Sequence, residues 1–497
     1  MLDPQSALRR EPYTMYIDGK FEVSDSGKTF DVVSPVTNKV IAKVYEGGRS
    51  DVERAISSAR RAFDDGPWSR MSQAERSSLL LRAGQLLKER EDEFIAIEGL
   101  NCGKLFASLK YYELPSSTDA FQFAAGKARC LDGKVVPVDG GGHYLNYVMW
   151  QPCGVVAEIL PWNGPLMMGC QKVSMILAAG NSVVIKPPTW APLSMLELAS
   201  VFHEAGFPEG VVNVIPGPGS TVGDALVRNP LVDMVSLTGG TETGKQILAS
   251  AAGTVKDVAL ELGGKSPNIV FDDVDISTTA KWAFFGFTLN SGQVCVAGTR
   301  LILHEAIYDE FINELVNLCN QVVPGDGFAP GVNFGPMISR AHYESVWRHI
   351  EQGIAEGARL VTGGFRYADP TLAAGNFIPP TIFADVTPEM SIFQQEIFGP
   401  VLCVSKFSTE QEAIRLANAV DYGLAGGVFT ADARRAQRVA EKIRAGQIYV
   451  NTYYSKGIME SPGVGWKASG IGGAGITKYM RPKTVFVELE DGTVPPM

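Results

Sequence analysis

Short runs rich in β-branched residues alternate with helical stretches along most of this chain, and this alternation limits its fold more than any other feature. Four such runs lie at 155–160, 182–185, 211–215 and 234–237, and most are separated by helical stretches of roughly ten residues or more. Alternating strands and helices predict a parallel sheet covered by helices, which binds nucleotides beyond the carboxyl ends of its strands. The predicted fold class is therefore α/β, with this part forming a Rossmann-like cofactor domain.

A second alternating block extends from residue 268 to residue 451. Its strands are predicted near 268–271, 299–303, 400–404, 424–429 and 446–450, and its helices at about 276–289, 305–322, 409–419 and 431–444. This block predicts a second α/β domain, and it carries Cys295. Ahead of both blocks, residues 16–45 are predicted to form short strands. Ser50 and Ser72 are then predicted to cap two helices, because a glutamate follows each of them three residues later.

Two strand-like segments, 143–151 and 483–490, stand apart from both blocks. In the second segment apolar residues occupy alternate positions, as in a strand with one buried face. Exposed strand edges need a partner or a cover. We therefore expect other protein surface to lie against these segments.

The composition excludes several classes of function. The 497 residues are enough for two or three domains. The 44 basic and 54 acidic residues give a formal net charge of -10, which argues against binding to nucleic acid or to an anionic membrane surface. No uncharged apolar run is long enough to span a bilayer. The 7 cysteines form no CxxC pair, which indicates a reduced, cytoplasmic setting. The 5 histidines show no metal-ligand spacing, so no metal site is predicted.

One cysteine, Cys295, lies among small, uncharged residues between two glycines, at 292–298. Such a segment suits an irregular stretch that presents a thiol to a substrate, although a cysteine by itself is more often a small buried hydrophobe. The motifs that accompany it are Pro161-Trp162-Asn163, Lys186-Pro187-Pro188, Leu237-Thr238-Gly239, Leu260-Glu261-Leu262-Gly263-Gly264-Lys265-Ser266-Pro267 and Glu396-Ile397-Phe398-Gly399-Pro400. In this order and spacing they resemble the aldehyde dehydrogenase superfamily, and the resemblance runs from about Tyr16 to about Val487.

The resemblance implies an NAD(P)-dependent enzyme that oxidises an aldehyde to a carboxylic acid. A thiolate that adds to the carbonyl gives a thiohemiacetal, which collapses to a thioester as hydride departs, and Cys295 fits this role. The side-chain amide of Asn163 and the backbone N–H of Cys295 would hold the oxyanion. Glu261 would activate water to hydrolyse the thioester, and its presence favours water over coenzyme A as the acyl acceptor. Lys172 matches a family lysine near the cofactor and active site, with a surface lysine as the alternative.

The resemblance also implies how the cofactor, NADP or NAD, is bound. Glu396 would bond to the nicotinamide ribose with Phe398 against the ring, and Lys186 would reach the adenosine ribose or a phosphate. A helix expected after Thr238-Gly239-Gly240 would turn its free N–H groups toward the cofactor. The other predicted cofactor residues are Ile159, Pro161, Trp162, Thr189, Gly219, Gly223 and Leu262.

The segment at 217–223 is similar to a dinucleotide-binding GxGxxG fingerprint, but its last glycine arrives one residue late. A plain turn built from glycine and proline is therefore an equal alternative there. The resembled family also departs from this fingerprint, so we keep the cofactor assignment.

Cofactor preference is predicted from a departure from the family. After Lys186-Pro187, NAD-preferring members usually place a glutamate two residues on, where its carboxylate accepts hydrogen bonds from both hydroxyls of the adenosine ribose. This chain has Thr189 at that place. A neutral hydroxyl near Lys186 leaves room for the extra phosphate of NADP. We therefore expect NADP to be used, with NAD still accepted.

In the resembled family, segments like 143–151 and 483–490 form the arm through which subunits associate. The predicted division is a cofactor-binding domain of residues 1–128 and 149–258, a catalytic domain of residues 259–460, and a small β oligomerisation arm of residues 129–148 and 478–497. The arm predicts a homo-oligomer, either a dimer or a dimer of dimers, which is a homotetramer.

Other interpretations remain open. A cysteine-dependent hydrolase or acyltransferase would use Cys295 with a histidine base, which no local motif supports. A non-enzymatic family member that serves only binding or structure would be expected to have lost Cys295 or Glu261, and both are present. The aldehyde is not named by the sequence. Lys456, in the segment that borders the substrate mouth of the family, is predicted either to attract an acidic or phenolic aldehyde or to face outward.

Overall fold

The computed structural model describes residues 4–9, 11–139, 144–454, 459–461, 463–473 and 475–489. Within these ranges the strands, numbered β1 to β22 in chain order, are Met15–Ile17, Lys20–Glu22, Thr29–Val33, Val40–Tyr45, Lys134–Val135, Tyr144–Pro152, Val155–Ile159, Ser182–Lys186, Val212–Val214, Met234–Thr238, Asp257–Glu261, Pro267–Val270, Arg300–His304, Arg359–Thr362, Thr381–Ala384, Val401–Phe407, Tyr422–Gly423, Ala425–Phe429, Gln447–Val450, Trp466–Lys467, Gly470–Ile471 and Met480–Glu488.

The α-helices, numbered α1 to α17 in the same way, are Arg49–Asp64, Pro67–Arg70, Gln73–Glu89, Glu91–Cys102, Phe106–Ser108, Leu114–Ala128, Pro165–Ala178, Leu193–Ala205, Asp224–Arg228, Thr241–Ala251, Ile276–Thr288, Tyr308–Cys319, Arg340–Ala355, Pro370–Ala374, Ser391–Gln394, Glu410–Asn418 and Ala433–Lys442. Short 3-10 or π-helical segments are Pro4–Ala7, Leu109–Glu113, Gly219–Gly223, Ala252–Thr254, Leu289–Gly292, Glu305–Ile307 and Ile476–Tyr479. No helix of the described residues is long and apolar enough to cross a membrane.

The first sheet has eight strands in the order β2-β1-β9-β8-β7-β10-β11-β21. Strands β9, β8, β7, β10 and β11 run parallel, and the neighbours β1 and β21 are antiparallel to them. Val155 and Val184 pack on one face of this sheet, whereas Val156 and Val183 pack on the other. Both faces are thus covered, as a parallel sheet between helices requires.

The second sheet has seven strands in the order β14-β15-β16-β13-β12-β18-β19. All of its neighbours are parallel except β14, which is an antiparallel edge strand. Apolar clusters again cover both faces. The α/β fold class with two helix-covered sheets is therefore confirmed.

The strand β11 spans the predicted boundary between the cofactor-binding and catalytic domains. It pairs with β10 over its whole length, so Asp257–Glu261 belongs to the first sheet. A boundary between residues 258 and 259 would cut this strand. The other edge of β11 pairs with the strand β21. This strand follows residue 460, at which the catalytic domain was predicted to end. The first sheet is thus completed by a segment that lies more than two hundred residues later in the sequence.

The two segments that stood apart in the sequence pair with each other. β6 and β22 are antiparallel partners from Tyr144 opposite Glu488 to Pro152 opposite Met480, and the short strand β5 extends the sheet. Much of this three-stranded sheet is exposed in the single chain, including Phe486, which is 67% exposed. Lys456 and the parts of the predicted arm at 140–143 and 490–497 lie outside the described residues.

Candidate active site

A cavity of about 960 Å³ opens at the carboxyl ends of β7, β8 and β10, and residues that follow β12 along the chain form its other side. The predicted site residues that line it are Ile159, Pro161, Trp162, Asn163, Lys186, Thr189, Gly219, Gly223, Thr238, Gly239, Gly240, Leu262, Cys295, Glu396 and Phe398. Ligands of α/β sheets bind at this end of the strands. The predicted residues that do not line the cavity are Glu261 and Lys172.

The segment that carries Cys295 leaves helical geometry directly after α11. Asn290 and Ser291 have left-handed backbone angles, with φ of 49° and 55°, and Gly292 follows with φ of 75°. A side chain on Gly292 would overlap the backbone at 399–400, so glycine allows the two segments to touch. The irregular stretch predicted around the cysteine is therefore confirmed.

Side-chain amides hold this segment in place. Asn163 Nδ2 donates to the carbonyl of Gln293 at 2.9 Å, and Asn290 Nδ2 donates to the carbonyl of Asn163 at 3.2 Å. The Gln293 side chain donates to the carbonyl of Pro336 at 3.2 Å and accepts from the N–H of Ile338 at 2.9 Å. An amide group carries two N–H donors, so Asn163 retains one for a ligand beside Cys295.

Two carboxylates influence the Cys295 thiol. Burial raises the pKa of Cys295 to about 12, and the charges of Glu396 and Glu261 add to this effect. Burial also raises the pKa of Glu396 to about 7, although Glu396 Oε1 accepts the N–H of Gly264 at 2.8 Å. A side chain on Gly264 would overlap the carbonyl of Cys295, which explains why this motif packs directly against the cysteine. The thiol is therefore neutral in the free protein at ordinary pH.

Glu261 stands at the carboxyl end of β11, and its side chain is 22% exposed. Its nearest charged partner is Lys478, whose Nζ lies 3.9 Å from Glu261 Oε1. Lys478 was not predicted as a site residue, because it belongs to none of the motifs in the sequence.

Lys172 occupies a different place from the one predicted. Its Nζ donates to Ser236 Oγ at 3.3 Å and lies 3.4 Å from Glu158 Oε1, and all three side chains are buried. The helix α7 packs against the sheet, so this lysine points at the strands β7 and β10 and not into the cavity. The surface alternative is therefore wrong, and a role of Lys172 near the active site stays a prediction.

The cavity fits a dinucleotide cofactor. A Cβ atom on Gly219 or Gly240 would meet nothing within 4 Å, so the backbone at both positions is open to a ligand. The helix α10 begins at Thr241 with its free N–H groups at the cavity, as predicted. Lys186 lines the same space, where burial lowers its pKa to about 8 and its Nζ donates to the carbonyl of Pro187 at 3.1 Å. These features suit phosphate and ribose groups.

Two cofactor positions differ in detail from the sequence prediction. Thr189 lines the cavity, but its hydroxyl already donates to the carbonyl of Gly217 at 3.2 Å. The segment Gly219–Gly223 is neither a GxGxxG turn nor a plain turn, because it forms a π-helical turn that continues into α9. Asp224, the first residue of α9, also lines the cavity and was not predicted to do so.

His342 is another cavity residue that the sequence did not indicate. Its ring lies 5.1 Å from the ring of Trp162, and its Nε2 donates to the carbonyl of Phe398 at 2.7 Å. Burial lowers the pKa of His342 to about 4, so it is a neutral donor at physiological pH. It comes from α13, a helix that the sequence patterns did not reveal. Its hydrogen bond reaches the backbone of Phe398, which has a left-handed φ of 56°.

The sequence model of the Aldehyde dehydrogenase family matches residues 21–485. The chain belongs to the aldehyde dehydrogenase family. It is 40% identical over 487 residues to a betaine aldehyde dehydrogenase of Bacillus subtilis, with 97% of this chain and 98% of the relative covered. It is 39% identical over 494 residues to a cytosolic aldehyde dehydrogenase 1 of Elephantulus edwardii, with 98% and 97% covered.

Solved structures of aldehyde dehydrogenases agree with the fold. The NAD+ complex of an aldehyde dehydrogenase from Bacillus cereus matches with a TM-score of 0.95 and 38% identity over 99% of both chains. A betaine aldehyde dehydrogenase from Staphylococcus aureus in complex with NAD+ matches with a TM-score of 0.96 and 36% identity, covering 99% of this chain and 98% of that one. The protein is an NAD(P)-dependent aldehyde dehydrogenase, and its cofactor is NAD or NADP.

Proposed function

We propose that this aldehyde dehydrogenase works through a covalent intermediate on Cys295 and hydrolyses it with water activated by Glu261. The supporting observation is that Cys295 and Asn163 line one cavity, with Glu261 close enough for its charge to raise the pKa of the thiol. A thiol, an amide donor and a carboxylate at one place supply a nucleophile, an oxyanion donor and a base.

In the first step the Cys295 thiol loses its proton to water, and the sulfur forms a bond to the aldehyde carbon. The carbonyl electrons move to oxygen, which accepts hydrogen bonds from the free N–H of Asn163 and the backbone N–H of Cys295. NAD or NADP, when bound, supplies the hydride acceptor. Loss of hydride from the carbon leaves a thioester on Cys295. Lys186, Glu396 and the start of α10 would hold the cofactor in the cavity.

In the second step Glu261 accepts a proton from a water molecule, and the water oxygen adds to the thioester carbon. The C–S bond then breaks, the carboxylic acid leaves, and Cys295 departs as a thiolate. Glu261 is partly exposed, so its proton returns to solvent.

The two steps are separated by two variants. Cys295→Ala is expected to abolish oxidation, whereas Glu261→Gln is expected to keep the first hydride transfer and stall at the thioester. Rapid mixing should then show a burst of reduced cofactor without turnover in the glutamine variant. Loss of that burst would assign Glu261 to the first step as well and contradict the proposal.

The alternative of a cysteine hydrolase is not favoured by the geometry. His342 is the histidine among the cavity-lining residues, and its Nε2 is engaged with the carbonyl of Phe398. Its low pKa also makes it a weak base. Mixing the enzyme with aldehyde and cofactor separates the two functions, because a hydrolase produces no reduced cofactor.

We further propose that the three-stranded sheet of β5, β6 and β22 associates with a second copy of the chain, giving a dimer or a tetramer. Its exposed apolar residues, among them Phe486 and Tyr144, support this interface. The 7 cysteines are all free thiols, which supports the cytoplasmic setting that we propose for the enzyme.

A further inference from the structure

A cluster of four charged side chains lies behind the cavity and contains Glu158, Lys172, Glu261 and Lys478. Their side chains are 0%, 8%, 22% and 10% exposed, in that order. Lys172 Nζ is 3.4 Å from Glu158 Oε1, and Lys478 Nζ is 3.9 Å from Glu261 Oε1. Each carboxylate thus has one ammonium partner, and the cluster is neutral when all four groups are ionised. Buried charges are tolerated only when they are paired in this way.

The backbone fixes Lys478 beside Glu261 from two sides. Before it, Gly470 in β21 is paired with Glu261 in β11. After it, the carbonyl of Tyr479 accepts the side-chain N–H of Asn181 at 3.0 Å. Lys478 itself lies in the short helical segment Ile476–Tyr479 between these anchors. The lysine therefore reaches Glu261 from a short helical segment that is held by hydrogen bonds on both sides.

We propose that Lys478 is the positioning residue of Glu261, whose carboxylate it holds in place for the hydrolysis of the thioester. Lys172 does not replace it, because the Lys172 ammonium is closest to Glu158. The inference rests on the proposed function of Glu261 as the base. It predicts that the second chemical step depends on Lys478, whereas acylation of Cys295 does not.

The charges around Lys478 set the pH range of this pair. Burial lowers the pKa of Lys478 to about 8, the charge of Lys172 lowers it further, and the charges of Glu261 and Glu158 raise it. These groups come from α7, β7 and β11, and Tyr479 is the adjacent ring, 5.6 Å from the ammonium. Lys478 is thus charged below about pH 8 and loses its charge above it, so the pair with Glu261 is complete at neutral pH.

A test without cofactor isolates the second step. p-Nitrophenyl acetate transfers its acetyl group to the Cys295 sulfur and releases p-nitrophenolate, which leaves a thioester. After the excess reagent is removed, mass spectrometry of the intact protein follows the loss of the acetyl group. Lys478→Met is expected to slow this loss about tenfold to a hundredfold at pH 7, with the acylated fraction unchanged. Lys478→Arg, which keeps the charge, is expected to restore most of the rate.

Three comparisons complete the test. Lys281→Met removes an exposed lysine on α11 and should match the wild type. In the wild type the hydrolysis rate should fall above about pH 8, where Lys478 loses its charge, and Lys478→Met should lack this fall. Glu261→Gln should stall hydrolysis in the same assay.

The outcomes separate this inference from the proposed function. If Glu261→Gln hydrolyses the thioester at the wild-type rate, the proposed base is wrong. If Glu261→Gln stalls but Lys478→Met keeps the wild-type rate and pH profile, only the role of Lys478 is wrong. A methionine variant that acylates less but hydrolyses each acylated site normally would also overturn it, since the lysine would then serve folding alone.

Discussion

Thr189 is the residue on which we expect the choice between NADP and NAD to depend. It lines the cavity near Lys186, where a carboxylate would repel the extra phosphate of NADP. That repulsion corresponds to about 1 to 3 kcal/mol. Thr189→Glu is therefore expected to lower kcat/KM for NADP by about ten- to a hundredfold relative to NAD.

Thr189→Gln is the matched control, because it has the size of glutamate without its charge. A glutamine variant that penalises NADP equally would show that size and not charge discriminates. A wild type that strongly favours NAD would assign discrimination to another residue. Asp224 is then the first to examine, since it also lines the cavity and is paired with Arg228 at 2.6 Å.

The Cys295 thiol is expected to react slowly with iodoacetamide in the free enzyme. Its pKa is raised to about 12, so the reactive thiolate is scarce at neutral pH, and its fraction grows about tenfold for each pH unit up to that value. Alkylation of Cys295, followed by peptide mass spectrometry, should rise steadily from pH 7 to pH 10. Cys130 is exposed and serves as the internal control. A rate at Cys295 that levels off near pH 7 would contradict the raised pKa.

Among the secondary-structure elements, buried parallel strands were the most predictable. β7, β8 and β10 nearly coincide with the predicted runs, because strands covered on both faces are continuously apolar and β-branched. β11 was missed, since it begins with Asp257 and ends with Glu261. The edge strand β14 was missed because its residues are exposed or half-buried and carry no such pattern.

Helix caps were predictable only where the capping residue acts locally. Ser72 accepts the N–H of Glu75 at 3.2 Å, so the predicted cap of α3 is confirmed. Ser50 was wrong as a cap. The helix α1 begins earlier, at Arg49, and Asp51 accepts the N–H of the capping residue Gly48 at 2.8 Å. Asp51, in the first turn of the helix, thus plays the part that was expected of the glutamate in the capping box.

The site residues could likewise be predicted where a local motif marks them, but not where they come from a distant part of the chain. Asn163 and the stretch 238–240 lie where a strand ends, and a motif marks each of them in the sequence. Lys478 and His342 reach the site from remote elements without a motif, and only the folded chain brings them there. Lys172 matches a lysine of the family, but the packing of its helix determines where its ammonium points.

For the whole molecule, the exposed sheet of β5, β6 and β22 predicts association. Light scattering at micromolar concentration should report a dimer or a tetramer, and Phe486→Asp should shift the enzyme toward smaller species because it places a charge on an apolar surface. Val323→Asp, at an exposed apolar residue outside this sheet, is the control. A monomeric wild type would contradict the proposal.

The pairing of β21 with β11 bears on how the enzyme is made. Chains are synthesised from the amino end, and their domains generally fold in that order. Cys295 therefore leaves the ribosome well before Gly470 closes the edge of β11 and before Lys478 arrives beside Glu261. A nascent chain at that stage holds its nucleophile without the finished surroundings of its base. If Glu261 is the base that we propose and Lys478 positions it, the hydrolytic half of the site forms only after residue 478 has been synthesised.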